Sequence, residues 1–223
     1  MKLLSTPLYS FISSNHLIRN RNLFFQFLKT FVFVSFIFLG NINAQTVIYV
    51  DSSKASSGVG TSWSTAYKTL KEATIFSNNN TAVKEIRIAK GTYFPTINTN
   101  RDSTFLISRG DIRLFGGYPS GGGTRNIVTN PTILSGDIGT LGTQTDNSYH
   151  VMVIAGLDAG ADSVIIEGLN IRWGRADASN SVTFNGQSFP RSYGGGMAIK
   201  GNANANKIVV KNSIISGNYA SNN

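Results

Sequence analysis

A chain of 223 residues with 20 Lys or Arg against 11 Asp or Glu has a formal charge of +9 and no cysteine, which excludes disulfides and thiolate metal sites. The excess is uneven, because residues 1 to 44 hold four of the basic side chains and no acid, leaving 16 against 11 in the rest. Those cations are scattered singly, at Lys54, Lys84, Arg109, Arg125 and Arg191, without the clustered basic face of a nucleic-acid binder, so nucleic acid is not expected as a partner.

Lys2, Arg19, Arg21 and Lys29 precede an apolar run from Phe31 to Gly40, and the tetrapeptide NINA ends at Ala44. Basic, apolar and small-residue segments in this order predict an export signal over residues 1–44, with Gln45 as the first mature residue; an uncleaved anchor is the alternative, because Ile42 is larger than the small residue preferred three positions before the cut. The apolar run is half the length of the ~20 residues a membrane-spanning helix needs, and Lys29 blocks its extension backwards. A secreted or outer-surface location with no membrane span after cleavage is therefore expected.

The remaining residues, 45–223, read as one β domain. TVIYVDSS (46–53) is a strand with Val47 and Tyr49 as its alternating apolar set. From Ser64, Ala66, Leu70, Ala73 and Phe76 recur at helical spacing, with Ser62 or Ser64 as N-cap. This helix ahead of many strands suits an N-terminal cap, about 46–80, closing the end of a stack of strands. Short strands follow from about 83 to 223, each closed by Gly, Asn or Pro. Glu85–Pro95 carries Ile86 and Ile88. Ser103–Tyr118 turns at Arg109-Gly110, with Ile107, Ile112 and Leu114 as interior residues. Asn130–Asp137 and Tyr149–Gly156 supply two more.

Val164–Ala176, VIIEGLNIRWGRA, then recurs as Ile208–Ala220, IVVKNSIISGNYA, at an offset of 208 − 164 = 44 with no internal gap. Gly168 falls opposite Asn212 and Gly174 opposite Asn218, pairs of the residue types that most readily take positive φ. Each copy is read as strand, left-handed corner, strand, corner, one rung of a coil of parallel strands. Between the copies, Ala176–Ser192 is expected to project as a polar loop, and GGGMAIKG (194–201) to supply the remaining strand. The absence of intervening helices excludes a doubly wound α/β sheet. An immunoglobulin-like sandwich is the alternative, and the matched corners favour the coil. The fold expected is all-β, a right-handed parallel β-helix with an N-terminal capping helix.

YVDSS with TSWSTAYKTLKEA, IRIAKGTYFPT, FLISRGDIRLFGGY, NPTILSGDIG, DNSYHVMVIAG, GLNIRWGRA, GGGMAI and SIISGNYA, in that order, resemble the exported bacterial right-handed β-helix proteins of pectin-lyase-like fold. The resemblance implies a further run of GGG and SGN rungs, so the chain is expected to be the N-terminal part of a longer protein, with its last rung open to self-association. It also implies the chemistry of the fold's lyases, in which carboxylates hold Ca²⁺ on an acidic sugar and an Arg or Lys is the base. The matching candidates are Asp137 and Asp146 for calcium and Arg172 and Arg175 for catalysis. Neither the arginine–proline arrangement of pectate lyases nor the NTD, DD and GHG series of polygalacturonases is present. His150 has no partner pattern for a triad or a metal and reads as structural. Phe184, Phe189, Arg191 and Tyr193 crowd the insertion and are the candidate sugar-contacting residues, unless the rings fold back over the wall. The function expected is an exported structural, adhesive or glycan-contacting module without a cofactor. The rival is a polysaccharide lyase or hydrolase, Ca²⁺-dependent in the lyase case.

Overall fold

The computed structural model describes residues 46–157, 163–201 and 207–221, and the expected signal at 1–44 lies outside them. The described residues are mostly β, arranged in parallel sheets without a closed barrel. In chain order the elements are β1 (Thr46–Val50), α1 (Leu70–Asn78), β2 (Val83–Ala89), β3 (Gly91–Tyr93), β4 (Phe105–Ile107), β5 (Ile112–Tyr118), β6 (Thr132–Ser135) and β7 (Met152–Ala155). There follow β8 (Val164–Glu167), β9 (Leu169–Arg172), β10 (Arg175–Ala176), β11 (Ser181–Phe184), β12 (Gln187–Pro190), β13 (Met197–Lys200), β14 (Ile208–Lys211), β15 (Ile214–Ser216) and β16 (Tyr219–Ala220).

Three parallel sheets have the orders β1-β2-β5-β8-β14, β3-β6-β9-β15 and β4-β7-β13. The chain visits them in rotation, and on each return lays its strand beside the one it last left there. Ile48, Ile86, Leu114 and Ile166 are thereby register partners in the first sheet, and all four are buried. Phe105, Met152, Leu134 and Ile171 fill the same interior from the other two. Alternation along each strand sends every second side chain outward: Leu169 and Ile171 are buried, whereas Asn170 and Arg172 are half-exposed. The first strand follows the opposite phase to that expected, since Ile48 and Val50 are buried and Val47 and Tyr49 lie outside. An unbroken apolar run such as VIYV does not declare its phase.

The 44-residue repeat is the pairing register itself. Val164 faces Ile208, Asn170 faces Ile214 and Arg175 faces Tyr219. The first corner is as expected, with Gly168 at φ 72° and Asn212 at φ 49°. The second is displaced by one residue, because the left-handed positions are Trp173 (φ 62°) and Gly217 (φ 66°). Gly174 serves close approach instead: a Cβ there would lie 1.8 Å from the Gly195 carbonyl oxygen. Asn218 uses its side chain, accepting from Gly174 N at 2.9 Å and donating to Ile171 O at 3.0 Å. Trp173 consequently leaves the strand alternation and is exposed.

The helix starts later than its periodicity suggests. Thr69 is the N-cap, its hydroxyl accepting from Glu72 N while the Glu72 carboxylate accepts from Thr69 N, each at 3.2 Å, a reciprocal capping box. Residues before it are committed elsewhere: Tyr49 N donates to Gly60 O, Tyr67 N to Tyr49 O and Asp51 N to Tyr67 O. Leu70, Ala73, Thr74 and Ser77 form the buried face, and Phe76 is exposed. Arg109, at the expected turn, is buried and donates to the carbonyls of Ser77 (2.6 Å), Gly110 (2.9 Å), Asp111 (3.3 Å) and Val83. The left-handed residue of that corner is Asp111, φ 54°.

Candidate functional site

The insertion between the two repeat copies is an antiparallel hairpin, not an irregular loop. Val182 pairs with Phe189 and Phe184 with Gln187, around Asn185 (φ 45°) and Gly186 (φ 72°). Two central residues at positive φ define the type I′ turn whose twist suits a two-residue hairpin, and Asn-Gly is its preferred pair. The period-2 side of the hairpin carries Val182, Phe184 and Phe189 onto the outer face of the third sheet, where they pack with Leu106, Val153, Ala155 and Ala198. Phe184 and Phe189 have centroids 5.8 Å apart, and the His150 ring lies 6.4 and 6.2 Å from them.

Polar contacts hold the hairpin at tip and base. Asn185 Nδ2 donates to Gly156 O at 3.0 Å and Ala155 O at 3.2 Å. Arg191 makes a two-pronged pair with Asp102, Nε and Nη2 at 2.6 and 2.7 Å, donates Nη1 to Ser181 O at 2.7 Å, and lies 5.4 Å from the Tyr149 ring centre. Lys200 Nζ donates to Ser188 O at 3.1 Å. Between hairpin and β13 runs a cleft of about 290 Å³, just under the usual range for small-ligand sites, about 300–1,000 Å³. Phe189, Pro190, Tyr193, Met197, Ile199 and Lys200 line it. Tyr193 is 50% exposed and Ile199 48%, so the cleft offers an open aromatic ring beside an ammonium group.

The four expected contact residues therefore separate. Phe189 and Tyr193 line the cleft, Phe184 lies against the sheet, and Arg191 is engaged with Asp102. Of the candidate bases, Arg175 donates to Asp177 at 2.7 Å and sits 4.8 Å from the Tyr219 ring centre. Asp177 also takes Arg101 at 2.6 Å; burial disfavours its charge, and the hydrogen bonds of the two arginines outweigh that and hold its carboxyl below the usual range. Arg172 stands on the outer face of the second sheet between Ser135 and Ser216, with a buried Nε that has no partner among the described residues. It lies across the Trp173-Gly174 corner from Arg175. Asp137 accepts from Gly142 N at 2.9 and 3.1 Å and Asp146 from Thr140 N at 2.8 Å, so both close turns of one loop. Among the described residues, no three His, Cys, Asp or Glu converge as calcium or another metal would require.

A second depression, about 430 Å³, escapes sequence reasoning because four separate segments build it: Ser52 and Ser53, Lys90 and Thr92, Ser120, and Pro131 with Ile133. Asp51, fully buried beside it, accepts from Ser53 N, Ser53 Oγ and Gly121 N at 3.0, 2.7 and 2.8 Å. Desolvation raises its pKa, but these bonds prevail and leave it lowered. The hairpin did have a legible signal, the Asn-Gly pair between SVTF and QSFP. No helix among the described residues is long and apolar enough to cross a membrane. No known protein family, no curated protein and no solved structure matches the chain.

Proposed function

We propose that the chain is an exported right-handed parallel β-helix module that contacts glycans at the cell surface or in the medium and carries out no catalysis. Rotation of the strands through three parallel sheets supports the coil, and the strong preference of parallel crossovers for the right hand supports its sense. The resemblance to pectin-lyase-like proteins rests on the motifs that carry it and agrees with that reading.

The observation that carries the binding function is the cleft between the hairpin and β13. The exposed Tyr193 ring presents an apolar face to a pyranose, while Lys200 and the backbone edges of Ser188 and Gly194 offer polar partners. Such a mixed aromatic and polar lining suits a ligand with one apolar face and a hydroxylated rim. The partner is a polysaccharide or surface glycan, with no nucleic acid and no cofactor. Affinity electrophoresis through gels cast with a panel of neutral and acidic polysaccharides tests it. Retardation by at least one polymer, reduced about tenfold in affinity by Tyr193→Ala, equivalent to ~1.4 kcal/mol, is expected. Retardation unchanged by that substitution overturns the assignment of the cleft.

Arg172 favours a second reading, a polysaccharide lyase, because its Nε lacks a partner on an outward-facing strand. Absorbance of unsaturated products from uronate polymers with added Ca²⁺, lost in Arg172→Ala, would establish that reading in place of the first.

A further inference from the structure

His150 is 1% exposed and packs in a wall made by a separate, removable element. Its Nδ1 lies 3.2 Å from the carbonyl oxygen of Gly194. A carbonyl only accepts, so Nδ1 carries the hydrogen and Nε2 is the bare nitrogen. Nε2 is buried and has no hydrogen-bond partner among the described residues. The neutral ring is satisfied on one side and apolar on the other, whereas protonation would place an N–H and a positive charge where nothing accepts it. The neighbouring rings of Phe184 and Phe189, with centres 6.4 and 6.2 Å from that of the imidazole, carry no oxygen that could accept the new N–H.

The charged groups facing the imidazole come from two elements. Asp102, from the loop before β4, favours the charged ring, and Arg191, at the base of the hairpin, opposes it. They are paired with each other, which leaves neither free to serve the imidazole. Lys200 on β13 is turned to Ser188 O. Burial is the largest influence and lowers the His150 pKa from 6.5.

We propose that His150 is the acid-sensitive latch of the hairpin β11–β12, and that its protonation lifts the hairpin and dismantles the cleft. The hairpin is the part that yields. β7 is hydrogen-bonded on both sides, to β4 and β13, while among the described residues β11 and β12 form a strand ladder with each other and with no third strand, so beyond the side-chain ties of Asn185, Arg191 and Lys200 the hairpin has the marginal stability of two strands in water. Lifting it carries Phe184 and Phe189 away, admits water to Nε2, and removes Phe189 and Pro190 from the cleft. This regulation rests on the glycan-binding reading for its purpose, though not for its occurrence.

The sign follows from linkage. With the closed-state pKa below 6.5 and the open-state pKa near that value, closure is fully favoured above pH 6.5 and weakens as pH falls towards and through the closed-state pKa. One proton changes the opening constant by at most about tenfold per pH unit in that window.

Hydrogen exchange of the whole chain, followed by mass spectrometry at pH 7 and pH 5 and corrected for intrinsic rates, tests this without any ligand. Segment 181–190 is expected to lose protection by up to about tenfold per pH unit below 6.5, while β5 and β8 keep theirs. His150→Phe is expected to hold the hairpin closed at both pH values. His150→Gln, non-titrating and polar, provides the same test if the Phe variant loses protection in β5. Phe189→Ala is expected to open the segment already at pH 7, which shows that opening is readable. Equal wild-type protection at the two pH values, or the same acid loss in both His150 variants, overturns the latch. A hairpin that opens in acid in a protein that retards on no polysaccharide leaves the latch standing and removes only the binding reading.

Discussion

Trp173 and Gly174 show how little of a corner is fixed by residue type. Trp173 holds φ 62° although a side chain makes that conformation unfavourable by roughly 1–2 kcal/mol, and Gly174, beside it, has ordinary φ but no space for a methyl group. Gly174→Ala is therefore expected to destabilise by about 2 kcal/mol through overpacking, seen as a lower urea midpoint at unchanged slope. Trp173→Gly, at an exposed position, is expected to move that midpoint little or upwards. A neutral Gly174→Ala would contradict the close approach. Composition pointed to Gly174 and Asn218 as the left-handed pair, since Gly and Asn are the types that accept positive φ. What it could not express is that Asn218 is needed for its amide, which reaches across to Gly174 N and Ile171 O, or that Gly174 is needed for its missing Cβ.

At the scale of elements, Arg109 ties α1 to the sheets alongside Asn78, which donates to Leu106 O at 2.9 Å and accepts from Ser108 N at 3.1 Å. Arg109 spreads its guanidinium over carbonyls of Ser77 at the helix end, Val83 at the head of β2, and its own turn. Removing it takes a hydrogen bond from several buried carbonyls, of which Ser77 O keeps the one from Asn80 N, at roughly 1–3 kcal/mol for an acceptor left bare, so Arg109→Ala is expected to destabilise by about 3 kcal/mol and to expose α1 to limited proteolysis first. Arg109→Lys should recover less than half, lacking the planar fork. Unchanged stability of the alanine variant would refute this tie. The N-cap contributes less, about 1 kcal/mol for Thr69→Ala. Interior strand positions such as Ile86, Ile88, Ile107, Ile112 and Leu114 were legible from alternation, because one face of each strand meets the core. The helix start was not: Ala66 fits the helical period, yet its segment is drawn into hydrogen bonds beside β1. The hairpin was missed although FNGQ announces it, and with it the partition of Phe184, Phe189, Arg191 and Tyr193. That partition depends on which face meets Val153 and Ala155, a tertiary fact.

Over the whole molecule, the last strands in each sheet pair on one side only among the described residues, and they leave Ile199, Val210, Ile214, Ile215 and Tyr219 between 38% and 50% exposed. Unpaired edges joined to apolar side chains recruit other strands. The stretch 45–223 expressed on its own is accordingly expected to self-associate at high concentration, as a rise in weight-average mass in sedimentation equilibrium. Lys in place of Ile215 and Val210 should suppress the rise, and a monomer at every concentration would sink the expectation. The rotation of strands through three sheets has a further, mechanical consequence. Strands add to all three sheets in the same chain order, so backbone hydrogen bonds joining successive circuits run along one common direction. A tension drawn along that direction would load three ladders side by side and part the molecule only where several bonds yield together.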